Sequence, residues 1–158
     1  MPCMTGRLHV YTGVQFSVDQ PMQLLDHVSI GVPDIDRARP FYDAVMAALG
    51  ASKVYDRPAA LGYGERCNAN DTASTCLAVY LDPTEVGTSK RHWCFKAASR
   101  EQVQAFFEAG LSTGGQSDGD PGLRPHYHGD YYAAFLVDPA GNRIEAVCHA
   151  APPERERS

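Results

Sequence analysis

Three residues of this chain have the types and spacing of metal ligands. His27 and His92 each stand near the start of a strand-like segment, LDHVSIGV and RHWCFKA, and Glu145 lies in a third, RIEAV. Two neutral imidazoles and one carboxylate suit Zn, Mn, Fe, Ni or Co, and they leave coordination positions for water and substrate. Taken singly, each residue has a plainer reading. A strand histidine is more often on the surface or satisfied within a core, and a strand glutamate is usually solvated. A charged residue between Ile144 and Ala146 faces either water or a polar cavity. The two histidines gain weight only as a pair, because they occupy the same place in a repeat.

The second dense constellation is GLRPHYHGDYY, where Arg124, His126, Tyr127, His128, Tyr131 and Tyr132 crowd within nine positions. Arginine binds carboxylate or phosphonate bidentately. Tyrosine hydroxyls donate to an oxyanion, and a histidine moves a proton. Arg124, His126, His128, Tyr131 and Tyr132 are therefore candidates for substrate binding, and Arg124, His126 and Tyr132 for catalysis. His126 and His128 would share a face if the segment were extended. The competing reading is an aromatic loop packed on the sheet or on a second copy. Cys94 shares a strand face with His92 but reads first as a small hydrophobe. Trp93, on the other face, reads as core beneath a helix. Tyr63, Arg66 and Tyr80 line a cleft only if the first half supplies a wall, and each reads first as structural.

The elements that position these residues form a duplicated unit. LDHVSIGV alternates as a strand and is followed by a helix, PDIDRARPFYDAVMAALG, with Asp34 as N-cap, Gly50 as stop and an awkward internal Pro40. RHWCFKA is followed by a helix, SREQVQAFFEAG, with Ser99 and Gln102 as a capping box and Gly110 as stop. At an offset of 65 residues His27 falls on His92, Asp34 on Ser99, Phe41 on Phe106 and Tyr42 on Phe107. Strand-like SKVYD, AALGYGER and TCLAVYL follow the first helix. A glycine-rich connection, STGGQSDGDPG, then YYAAFLV and RIEAV, joined by the turn DPAGN, follow the second. The expected class is α+β, two βαβββ modules forming a cupped mixed sheet with helices on the outer face.

The chain has 158 residues with 44% hydrophobic and 21% charged side chains, a globular balance that excludes collagen, coiled coil and wholesale disorder. A net charge of −5 argues against nucleic acid as a partner. No apolar run reaches the ~18 residues of a membrane span. Five cysteines, odd in number and without CxxC, suit a reducing cytoplasm. Residues 1–21 carry no clear period and read as an extension, with VYTGVQFSV as a conceivable edge strand. The domain is expected over 22–150, with modules at 24–83 and 90–149, and 151–158 as a flexible tail.

LDHVSIGVPDIDRARPFY, RHWCFKAASREQVQAFFEAG and YYAAFLVDPAGNRIEAV together resemble the vicinal oxygen chelate superfamily, which includes glyoxalase I, bleomycin-resistance proteins, fosfomycin-resistance thiol transferases and extradiol dioxygenases. The most specific pieces are the strand histidine opening each half and the ending Asp138, Pro139, Gly141, Asn142 and Glu145. The resemblance covers about residues 25–149 and implies paired modules forming a cup around a divalent metal. It implies His27, His92 and Glu145 as ligands, a small-molecule substrate, and a homodimer in which a cup can draw on two chains. Glyoxalase I has a further glutamate ligand ending its first module, but TCLAVYL has no His, Asp or Glu. Most extradiol dioxygenases carry four modules, and bleomycin binders lack the triad. The resemblance therefore implies a metal-dependent lyase or isomerase of glyoxalase-like type, with a thiol transferase of fosfomycin-resistance type or a non-catalytic binding protein as alternatives.

Overall fold

A computed structural model describes residues 24–66, 74–84 and 91–151. The sequence repeat is a structural repeat. The first module runs β1 (His27–Val32), α1 (Ile35–Ala48), β2 (Lys53–Arg57), β3 (Ala60–Gly64) and β4 (Cys76–Leu81). The second runs β5 (His92–Lys96), α2 (Arg100–Ser112), β6 (Gln116–Leu123), β7 (Tyr132–Val137) and β8 (Arg143–Cys148). Each module folds into a four-stranded mixed sheet, in the orders β1-β4-β3-β2 and β5-β8-β7-β6. In each, the first strand pairs in parallel with the last and the remaining pairs are antiparallel. The α+β class and the two-module plan hold. The VYTGVQFSV segment and the tail beyond residue 151 lie outside the described residues.

Local chemistry sets both helices. The Asp34 carboxylate accepts from Arg37 N at 3.0 Å, and the Ser99 hydroxyl accepts from Gln102 N at 3.3 Å. The Gln102 side chain reaches back to accept from Ala98 N at 2.8 Å, one residue beyond the usual capping-box partner. Gly50, at φ 77°, ends α1 in a Schellman turn, with Ala51 N bonded to Met46 O and Gly50 N to Ala47 O. Gly114, at φ 97°, does the same for α2. The expected stop at Gly110 is therefore corrected: α2 passes through it. A Cβ there would stand 2.3 Å from Leu136 Cδ1 and 3.2 Å from Phe41 Cε2, so the glycine serves the close approach of the two helices and not termination.

The aromatic anchors of the repeat, Phe41, Tyr42, Phe106 and Phe107, are all buried. Each adds about 2–3 kcal/mol of burial free energy. They belong to one core in which α1 packs on α2 and which takes in Val28, Ile30 and Val32 of β1 with Ile144 and Ala146 of β8. The DPAGN turn fastens the modules together. Asp138, only 3% exposed, accepts from Tyr42 OH at 2.7 Å and from the Ala140 and Asn142 backbone N–H groups. Asn142 Nδ2 donates to Gly31 O of β1 at 3.0 Å. Two further expectations change. STGGQSDGDPG is not merely a connection, because residues 116–123 form β6, an edge strand that tolerates Pro121 and two register shifts since it pairs on one side only. Trp93 points to the helix side, but β5 is the other edge, and the indole stays 37% exposed.

Candidate metal centre

β5 and β8 run in parallel with Cys94 opposite Glu145, and His92 lies two residues before Cys94 on the same face. That face is the one away from the helices, because the neighbouring residues Ile144 and Ala146 belong to the core. His92 Nε2 comes within 3.1 Å of Glu145 Oε2. The Tyr131 hydroxyl donates to Glu145 Oε1 at 2.7 Å. Glu145 is 2% exposed, so these contacts replace the water that a carboxylate would otherwise hold. The His92 side chain is half exposed. Cys94 opens to solvent on one side, but burial on the other and the adjacent Glu145 carboxylate push its thiol up to about 12. Burial and the bond to Glu145 likewise hold the Tyr131 phenol well above its ordinary range.

The loop that follows β6 folds over this pair. It is a run of tight turns and not an extended segment, so the alternation that would put His126 and His128 on one face does not apply. His126 packs against Tyr127, whose ring lies 4.7 Å from that of Tyr131. His128 Nε2 meets His149 Nδ1 at 2.8 Å, and the Tyr131 ring stands edge-on to both imidazoles. Arg124 lies with its guanidinium 5.5 Å from the centre of the Phe135 ring. Tyr132 belongs elsewhere: it faces the core side, its hydroxyl bonded to Gln104 Nε2 at 3.1 Å and its ring beside Arg100.

His27 does not join His92 and Glu145 within one chain. Its Nδ1 lies 2.7 Å from Asp26 Oδ1, and its side chain is 63% exposed. Among the described residues no group of three or more His, Cys, Asp or Glu side chains converges as a metal would require. The repeat register locates the missing carboxylate of the first module. His27 pairs with Cys76 as His92 pairs with Arg143, so Ala78 stands where Glu145 stands in the second module. Gly62 lies opposite Ala78, and the Tyr55 ring closes over it. Tyr63 is core, with its hydroxyl on Asp43 at 2.7 Å, while Tyr80 is 46% exposed.

The donor set fits half of a divalent-metal site: one imidazole nitrogen and one carboxylate on adjacent strands, with the carboxylate oriented by a tyrosine. Residue types and alternation identify His92 and Glu145. Phe135, His149 and Asp26 escape that reading. Phe135 announces itself only through its register opposite Glu145, and His149 only through the fold of a loop that begins 25 residues before it.

A family model, the Glyoxalase/Bleomycin resistance protein/Dioxygenase superfamily, matches residues 24–146. No curated protein matches the chain. A crystal structure of a glyoxalase/bleomycin resistance protein from Albidiferax ferrireducens is similar, at 30% identity and TM-score 0.65, over 79% of this chain and 98% of that one. A glyoxalase/bleomycin resistance protein/dioxygenase family enzyme from Burkholderia phytofirmans superposes at TM-score 0.56 and 22% identity, over 77% and 95% of the two chains. The lactoylglutathione lyase of Agrobacterium tumefaciens shares the fold at TM-score 0.53 and 20% identity, over 81% and 95%. With two βαβββ modules and a family match spanning nearly all of both, this chain belongs to the Glyoxalase/Bleomycin resistance protein/Dioxygenase superfamily.

Proposed function

We propose that this chain is a metal-dependent enzyme of glyoxalase-like type that acts on a small oxygenated molecule by lyase or isomerase chemistry. The observation that carries the reading is the meeting of His92 Nε2 and the buried Glu145 carboxylate at 3.1 Å on the open face of the second module. A divalent ion held by His92 and Glu145 would supply Lewis acidity that stabilises a developing oxyanion of the substrate. The chain's own residues do the rest. Tyr131 fixes Glu145 through Oε1, and the Tyr127, His128 and His149 rings wall one side. Arg124 sits within reach of the same face through Phe135.

The third ligand in this reading is His27 of a second copy. His27 is exposed, its carboxylate neighbour Asp26 holds the ring at Nδ1, and Nε2 is left to face a partner. The protein is then a homodimer with each cup built across two chains. A cytoplasmic location suits the free Cys76, Cys94 and Cys148. Ala78, standing where a second carboxylate would be, supports a three-ligand site and keeps epoxide-opening thiol transfer as the second reading.

The test is metal analysis of protein purified without chelator, with turnover of a hemithioacetal set against glutathione-dependent opening of an epoxide. The expected result is about one divalent ion per chain. Ion and turnover are lost together on His92→Ala or Glu145→Ala. A folded protein that holds no divalent ion under any loading condition refutes the enzyme and leaves a small-molecule binder.

A further inference from the structure

We propose that the open face of the second module takes a substrate with a separate anionic end, a carboxylate, phosphate or phosphonate seated on Arg124, and an apolar segment lying across Phe135. The proposal rests on the metal reading only for where the other end of that molecule sits.

The strand order lays the groups out in a row. Cys94 pairs with Glu145, and Glu145 pairs with Phe135, so their side chains share one face across β5, β8 and β7. Arg124 follows β6, the next strand, and its guanidinium carbon lies 5.5 Å from the Phe135 ring centre. The His92 ring lies 6.4 Å from the same centre on the other side. The face therefore reads imidazole, carboxylate, phenyl ring, guanidinium. Its two ends are no farther apart than those two distances combined, the span of a small molecule with a few carbons between two polar groups.

Arg124 is held in place but not neutralised. Nη2 donates to Asp120 O at 2.7 Å and Nη1 to Leu123 O at 3.2 Å. A guanidinium has five donors, so this leaves a bidentate edge. Among the described residues Arg124 pairs with no carboxylate, whereas Arg39, Arg100 and Arg143 each have one. The chain is shaped to admit the guanidinium: a Cβ at Gly122 would stand 3.0 Å from Nη1, and one at Gly119 would stand 3.5 Å from Nη2. A cation fixed by backbone carbonyls and stacked on a ring loses little freedom when an anion arrives. A brace for the β6 edge would need the two carbonyl contacts, but not the unneutralised charge directed along the face that carries Glu145.

The test is calorimetric titration of chelator-treated, full-length protein with three probes that share a ring: phenylphosphonate, phenylacetate and neutral 2-phenylethanol. The expected result is that both anions bind at least about tenfold tighter than the alcohol. Arg124→Ala abolishes that preference, and metal content under reloading is unchanged. Gly122→Ala, which keeps the charge but crowds Nη1, lowers the preference and covers the case in which Arg124→Ala fails to fold. Equal binding of anions and alcohol, or a preference that survives in both variants, overturns the inference. Metal content is read separately: preference without metal refutes the proposed function alone, and metal without preference refutes this inference alone.

Discussion

Removing a single hydroxyl tests how the buried carboxylate is held. Tyr131→Phe keeps the ring that packs on Tyr127, His128 and His149, and deletes only the O–H that reaches Glu145 Oε1 at 2.7 Å. Glu145 is 2% exposed, so water replaces the lost donor poorly. A hydrogen bond to a charged group contributes about 1.5–3 kcal/mol when its partner is left buried. The thiol of Cys94, opposite Glu145 in the sheet, is a weak donor that offsets part of this. The net cost to the metal-free protein is about 1–2 kcal/mol, a fall in Tm of roughly 2–8 °C. In the proposed site the same hydroxyl would orient the carboxylate toward the ion, and its loss is expected to weaken metal binding about 10- to 100-fold. The assay is thermal unfolding with chelator present, followed by competitive metal titration. Tyr127→Phe, at a side chain 63% exposed, is the control and changes stability by less than about 0.5 kcal/mol. If Tyr131→Phe leaves both Tm and metal affinity where they were, the account of Glu145 is wrong.

Three further outcomes follow from the same geometry. Gly110→Ala gains helix propensity but drives a methyl to 2.3 Å from Leu136 Cδ1; overpacking wins, and denaturant unfolding shows a loss of about 1–2 kcal/mol. Tyr42→Phe removes one of the donors of buried Asp138 at the seam between modules and costs about 1–3 kcal/mol by the same measurement, with the fold retained. In chelator-treated protein the Cys94 thiol, raised from 9.0 to about 12, stays protonated at neutral pH. Its alkylation by iodoacetamide, followed peptide by peptide, is slow at pH 8 and climbs only toward pH 12; an ordinary thiolate rate at pH 8 contradicts the placement beside Glu145.

What the sequence discloses is what a single element decides. Asp34 and Ser99 cap helices whose first turns lie within three residues of them, and Phe41 and Phe106 repeat because each module must bury the same helix face. Gly110 and Gly114 show where local reading stops. Both are glycines near a helix end, and only Leu136 and Phe41, brought in from elsewhere, distinguish close packing from termination. Trp93 misleads for a related reason: its face is legible from alternation, but its position on an edge strand depends on the sheet order. At the site, His92 and Glu145 are visible as residue types in strands. The Tyr131 bond to Glu145 and the His128–His149 contact depend on a run of turns that no periodicity encodes.

The most direct measurement of the central claim is metal binding by a mixture of two crippled variants. In the proposed dimer, His27→Ala and Glu145→Ala would each remove one ligand from every site. If His27 is supplied by a second copy, unfolding and refolding the two together forms mixed dimers in which one site is doubly damaged and the other intact. An equal mixture then recovers about a quarter of the wild-type metal content. No recovery above the separate variants, with wild type refolded in parallel holding its ion, would contradict it.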